Sequence, residues 1–317
     1  MKQPSRPLLQ LVFGFLPLLL CAQPEVFTRS DFELRGPVQS STVVTDYGEE
    51  RFEFDPDGKL LKTLTRYSDA DYDITYYRYK EGALTERRDE VYRDGSFEKG
   101  TSFARFYRRD TAAGKLTETI TSYDQQLTEQ FTYTFDSIGR VEYIVRIGQE
   151  GIDETRVAFS EKQGEETSKY YLNGQLSKSI RRSETDGAGG RTVTILVKEY
   201  YQGVPQKALE QTMDSRGNLL LETQFTYDSV TPGFRKEQTR AFTYNEDGFL
   251  GSETISYLNS RGRVTRVAEK AYLYQKDGKS PGNWIRKVIT PENSIIARRI
   301  TYYEEKPSRP ADSISGN

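Results

Sequence analysis

Histidine is missing from all 317 residues, and cysteine, tryptophan and methionine number one, one and two. Without histidine there is no Ser-His-Asp or Cys-His catalysis, no imidazole metal site and no ordinary proton shuttle near neutral pH. A lone Cys21 forms no intrachain disulfide, so stability must come from packing and sheet hydrogen bonds. No glycine-rich phosphate cradle or dinucleotide phrase stands between a strand and a helix. Aliphatic surface is scarce: 35% of residues are hydrophobic, 29% are charged and the mean hydropathy is −0.74. No basic stripe marks a nucleic-acid partner. No window reads as an amphipathic helix.

Abundant tyrosine and phenylalanine, 22 and 16 residues, offset the aliphatic deficit. A tyrosine ring buries a large apolar surface and keeps its hydroxyl wet, which suits a thin sheet with one solvated side. Period-two runs mark the strands: Leu219, Leu221, Thr223, Phe225 and Tyr227 share one face, and Val141, Tyr143, Val145 and Ile147 another. Gly-containing turns such as Asp57-Gly58, Asp94-Gly95, Asn173-Gly174, Asp247-Gly248 and Arg261-Gly262 recur about every 14 residues, too close for parallel crossovers. The expected fold is all-β: an extended antiparallel meander of β-hairpin repeats, a curved open sheet or shell with no substantial helix. Ile295 to Tyr303 would form one exposed edge, with Arg298 and Arg299 discouraging aggregation there.

Four segments follow. Residues 1–22 read as a signal peptide, with Lys2 and Arg6 before the apolar run Leu8 to Leu20. Cleavage after Ala22 is favoured over lipidation at Cys21, because Leu20 is bulky for a lipoprotein signal. Residues 23–45 form a lead-in, 46–304 the repeat domain and 305–317 a disordered tail. Loss of Lys2 and Arg6 leaves 43 basic against 47 acidic residues, a mildly acidic exported chain for the periplasm, cell surface or exterior.

Phe131-Thr-Tyr-Thr-Phe-Asp-Ser-Ile-Gly-Arg140, Phe225-Thr-Tyr-Asp228 and Phe242-Thr-Tyr-Asn-Glu-Asp-Gly248 resemble the Tyr-Asp-x-x-Gly-Arg-Leu phrase of bacterial YD/RHS-repeat proteins. Tyr171-Leu-Asn-Gly-Gln-Leu176 is similar to the phrase of MORN-like repeats, and Gly282-Asn-Trp-Ile-Arg-Lys-Val288 to a strand near the end of secreted YD-like proteins. The resemblance spans roughly residues 46–304 and implies a β-repeat scaffold. No toxin segment of the RHS kind follows Trp284.

Chemistry-bearing constellations are few. Asp69, Asp71 and Asp73 have the spacing of a calcium loop's start, but Ile74 replaces its glycine and Lys80 its closing glutamate, so the segment reads as a solvated turn. No cofactor or metal is expected. The pairs Tyr76-Tyr77, Tyr170-Tyr171, Tyr200-Tyr201 and Tyr302-Tyr303 place one ring on each face of a strand. They are candidates for stacking on a glycan or gripping a peptide, against the plainer alternative of cross-strand packing. The function expected is a secreted or envelope-associated, non-enzymatic scaffold that binds a protein or glycan without inserting in a membrane. An outer-membrane β-barrel and a carbohydrate-active enzyme are the alternatives. The barrel ranks lower because Arg and Glu recur in both registers, where one register should be free of charge.

Overall fold

The computed structural model describes residues 25–45, 47–187 and 190–304. The expected signal peptide and C-terminal tail lie outside the described residues. Twenty-one strands follow a four-residue 3₁₀ helix, Arg29–Phe32. The first ten are β1 (Val38–Thr45), β2 (Gly48–Phe54), β3 (Leu60–Arg66), β4 (Tyr72–Lys80), β5 (Ala83–Arg93), β6 (Ser96–Phe97), β7 (Phe103–Asp110), β8 (Lys115–Ser122), β9 (Thr128–Phe135) and β10 (Val141–Gly148). Then come β11 (Gly151–Lys162), β12 (Glu165–Leu172), β13 (Gln175–Gly187), β14 (Gly190–Tyr201), β15 (Val204–Asp214) and β16 (Leu219–Asp228). The last five are β17 (Gly233–Tyr244), β18 (Leu250–Leu258), β19 (Val264–Lys276), β20 (Trp284–Thr290) and β21 (Ser294–Tyr302).

Each strand pairs antiparallel with the next, except that β5 pairs past the short β6 to β7. The last strand returns to the first: Ser41 stands opposite Ile300 and Val43 opposite Arg298. That pairing closes a ring of 20 strands, with β6 outside it. The open sheet expected from the sequence is therefore a closed barrel, and neither β1 nor β21 is an edge. Closure satisfies the hydrogen bonds that both edges would leave free. It also overturns the expectation of no membrane insertion, because a closed barrel is one of the two architectures that satisfy every backbone group within a bilayer.

The turn chemistry was legible. In five turns an Asx side chain accepts the backbone N–H four residues on: Asp55 from Lys59, Asp136 from Arg140 and Asp214 from Asn218, all at 2.8 Å, Asn245 from Phe249 at 3.0 Å, and Asn259 from Arg263 at 3.1 Å. The glycine before that acceptor-bound residue has positive φ each time, from 72° at Gly262 to 95° at Gly58. Aspartate or asparagine closes such a turn with its own side chain, and glycine supplies the left-handed backbone. The YD-like phrase is thus a hairpin device here.

Alternation separates two faces. Leu116, Ile120, Val157, Tyr170 and Ile195 are buried although they lie on different arcs of the ring, and all occupy the register face that carries Val43, Phe52 and Tyr77. Side chains crowd on a concave surface and splay on a convex one, so this face is the inside. About eight strands suffice for side chains to fill a barrel, whereas about 16–22 enclose a channel or a plugged lumen. The interior here is a lumen.

Candidate functional site: the barrel interior

One end of the lumen is lined by the chain's own N-terminal segment. Phe27 C=O accepts the Leu60 N–H, Thr28 bridges to Lys59, and Phe32 packs its ring 4.5 Å from Phe52 and 5.5 Å from Phe54. With Leu34 these rings build an apolar cluster over Val38, Val43, Phe52, Phe54, Leu60, Tyr77 and Leu84. Arg29 pins the segment by donating to the carbonyls of Val38 at 2.7 Å and Asp55 at 2.6 Å.

The segment then crosses the seam of the ring and meets β20. Asn283, fully buried, accepts Arg35 N–H at 2.7 Å and donates to Arg35 C=O at 2.9 Å and to Tyr302 Oη at 2.9 Å. Trp284 Nε1 donates to Glu33 at 2.9 Å. Arg298 stacks its guanidinium 3.4 Å from the centre of a Trp284 ring and donates to Phe32 C=O at 3.1 Å. Lys287 Nζ lies 3.8 Å from Glu33. Arg298 is thus an internal anchor, not the guard of an edge. Trp284, only 2% exposed, is a core residue.

Asp277, in the loop before β20, accepts Lys279 N–H at 3.1 Å, Asn283 N–H at 3.2 Å and the Tyr302 hydroxyl. Burial alone would raise its pKa, but these hydrogen bonds and the nearby Lys279 outweigh it and hold the carboxyl below its ordinary value. In the turn after β9, burial is likewise outweighed at Asp136, which is held low by the Arg140 and Ile138 amides and the Arg140 guanidinium.

Away from the segment, the inner wall carries ion-pair ladders. On β4–β9, Thr75 donates to Asp89 at 2.9 Å, Arg87 pairs with Asp89 at 2.8 Å and Arg105 reaches Glu118 at 3.3 Å; Tyr133 donates to Glu118 at 3.2 Å. On β15–β19, Gln211 donates to Glu222 at 2.9 Å, and Arg240 bridges Glu222 at 3.2 Å and Glu253 at 2.6 Å. Tyr272 donates to Glu253 at 3.0 Å. Arg146 links Glu129 and Asp153 between these arcs. Burying an unpaired charge is costly, and pairing offsets that cost for the charges of the inner register.

The tyrosine pairs divide between faces and do not converge. Tyr77 points inward and is buried against Phe27. Tyr76 shares the outer face with Lys62, whose ammonium lies 5.5 Å from its ring. Tyr170 is buried inside beneath Lys178 at 4.4 Å, while Tyr171 pairs on the other face with Arg156. Tyr200 meets Ser179 at 3.4 Å, and Tyr201 is exposed at a hairpin tip. Tyr302 joins the Asn283 cluster, and Tyr303 donates to Phe54 C=O at 2.6 Å. The four pairs stand on β4, β12, β14 and the end of β21, with Tyr303 just past it, so no single aromatic platform forms. Sequence reading missed Glu33, Arg35, Asn283 and Arg298, which together dock the N-terminal segment. Among the described residues no cluster of three metal-ligating side chains occurs.

The outer face is uneven. From β2 to β5 it carries Glu49, Arg51, Glu53, Lys62, Arg66, Arg78, Glu86, Arg88 and Glu90. Several are paired, as Arg51 with Glu53 at 3.1 Å and Arg78 with Glu86 at 3.1 Å. On β8–β10 the same face carries one charge, Lys115 at the start of β8, and is otherwise neutral: Thr117, Thr119, Thr121, Gln130, Thr132, Thr134, Tyr143, Val145 and Ile147.

No family model matches the sequence, and no curated protein does. Among solved structures, a porin-like protein from Bacteroides uniformis is 10% identical, with 84% of this chain and 98% of that chain covered and a TM-score of 0.34. A porin-like protein from Bacteroides vulgatus is 10% identical over the same shares, with a TM-score of 0.23. TcdB2-TccC3 is 12% identical, with 89% of this chain and 18% of that chain covered and a TM-score of 0.26. Scores of this size do not establish a shared fold.

Proposed function

We propose that the protein is an exported β-barrel of the outer membrane whose lumen, partly lined by its own N-terminal segment, is the working element. The observation that carries this reading is the β1–β21 pairing, which leaves no free edge in the ring. The apolar run Leu8 to Leu20 behind Lys2 and Arg6 supplies the export signal. In a bilayer the neutral stretch of β8–β10 beyond Lys115 meets lipid. The paired charges on β2–β5 then pack against protein, since each Arg or Lys at the midplane would cost about 2–4 kcal/mol in lipid. The barrel acts by holding and admitting solutes and performs no catalysis of its own.

Fractionation tests this. Expressed with residues 1–22 in a Gram-negative host, the protein should sediment with outer membranes, resist urea extraction and migrate faster on a denaturing gel when left unheated. Recovery in the soluble periplasmic or extracellular fraction would remove the membrane from this reading.

A further inference from the structure

The two ladders on the inner wall are the same object twice. Reading around the ring, the first runs Thr75, Asp89, Arg105, Glu118, Tyr133 and the second Gln211, Glu222, Arg240, Glu253, Tyr272. Each is a neutral donor, a carboxylate, a guanidinium, a second carboxylate and a phenol, one from each of five successive ring strands. With β6 outside the ring, β4 and β15 are ten strands apart, as are β9 and β19. Ten of 20 is half the circumference, so the ladders face each other across the lumen.

The sequence repeats with them. Thr117-Glu-Thr-Ile-Thr121 matches Ser252-Glu-Thr-Ile-Ser256, and Arg105 and Arg240 precede the two glutamates by the same spacing. Between guanidinium and glutamate, each hairpin turns at an Asx residue in the same place: Asp110 Oδ1 accepts Ala113 N–H and Asn245 Oδ1 accepts Phe249 N–H. Tyr107 and Phe242 put an aromatic ring two residues after each arginine. Ile120 stands directly opposite Arg105, and Ile255 directly opposite Arg240. Tyr133 pairs with Ile144 and Tyr272 with Ile289. Agreement of strand count, arginine-to-glutamate spacing, ion pairing and cross-strand neighbours points to a repeated half-barrel unit.

We infer that these ladders form two equivalent lumenal binding sites for an uncharged, polyhydroxylated ligand: a neutral oligosaccharide. With Arg87 the first ladder balances its charges, and the second carries one excess negative charge, so neither draws in a strong anion or cation. Each arginine is partly open to the lumen, 32% at Arg105 and 22% at Arg240. A guanidinium has five N–H donors, and the paired carboxylates take only some of them. Aromatic rings share these walls: Tyr107 on the same face of β7 as Arg105, Phe131 opposite Glu118 with Tyr133 6.3 Å from it, and Phe242, whose ring lies 5.2 Å from the Arg240 guanidinium. Sugar hydroxyls meet the donors while C–H faces lie on the rings, the mixed lining by which small-molecule sites hold neutral ligands. The inference holds wherever the barrel resides.

Calorimetric titration of the folded full-length protein with maltohexaose, cellohexaose and xylohexaose tests it. At least one should bind with a stoichiometry near two per barrel. Arg105→Lys and Arg240→Lys should each leave one site, and the double variant none. Where an arginine variant does not fold, Tyr133→Phe and Tyr272→Phe serve instead, each expected to weaken one site about tenfold. A stoichiometry of one, no heat with any of the three sugars, or full binding by the folded double variant would overturn the proposal.

Discussion

Asn283 holds the main chain of Arg35 as a neighbouring strand would, accepting from its N–H at 2.7 Å and donating to its C=O at 2.9 Å. The two residues are 248 positions apart, and the contact fastens the N-terminal segment across the seam between β1 and β21. Replacing Asn283 by alanine strands both backbone groups in a site with no solvent access. Unmade hydrogen bonds of this kind cost about 1–3 kcal/mol each. Asn283→Ala should therefore lower the melting temperature and expose the bonds after Arg29 and Arg35 to trypsin. A variant whose segment stays as protected as the wild type would show that the apolar contacts of Phe32 and Leu34 suffice.

Asp277 adds a pH dependence to the same cluster. Its folded pKa lies below the ordinary 3.8, so ionisation stabilises the folded state. That contribution is complete above the unfolded value and fades as pH falls below 3.8 through the folded one. Peptic nicking within residues 25–37, normalised to an unfolded control at each pH, should accelerate on acidification in that range. Asp277→Asn should flatten the response, and an unchanged profile in that variant would assign the acid sensitivity to other carboxylates.

Closure changes what a turn mutation does. Gly262 has a φ of 72° and open space around its Cβ position, so Gly262→Val adds backbone strain alone, about 1–2 kcal/mol. In a string of independent repeats that loss would melt one hairpin and its neighbours. In a closed ring each strand is held on both sides, and the whole barrel should melt at a lower temperature in one transition. Two separated transitions, or local exchange confined to β18 and β19, would count against the ring's cooperativity.

How far the sequence disclosed this fold differs from element to element. The Asx-x-x-Gly turns and strand alternation are local, and both were readable. Closure was not, because it depends on a pairing between residues about 250 positions apart, Val43 with Arg298 among them. Arg298 looked like an edge guard since nothing local shows that Trp284 and Phe32 will cover it. Charges in both registers argued against a barrel because a lipid-facing register should be uncharged; the ring puts Glu222, Arg240 and Glu253 on its inner wall, yet Arg51, Glu53, Arg78 and Glu86 stand on the outer face. The duplicated Glu-Thr-Ile phrase was visible, but a turn spacing of about 14 residues concealed the longer repeat. The tyrosine pairs alternate between faces as a strand requires, and their dispersal over four distant strands depended on the ring.

That dispersal makes the tyrosines separable by experiment. Tyr77 is 8% exposed and meets Phe27 edge-on at 6.2 Å, whereas Tyr76 stands on the outer face beside Lys62. Truncating a large buried aromatic ring costs about 3–5 kcal/mol, and removing one exposed cross-strand pair about 0.2–1 kcal/mol. Tyr77→Ala should thus destabilise the barrel strongly and loosen the N-terminal segment, while Tyr76→Ala should leave the melting temperature within a few degrees of wild type. If Tyr76→Ala abolishes glycan binding with stability intact, the outer face holds a site that the lumenal ladders do not account for. If both variants bind as wild type once folded, the rings at this pair serve packing, and the search for ligand contacts belongs at Arg105 and Arg240.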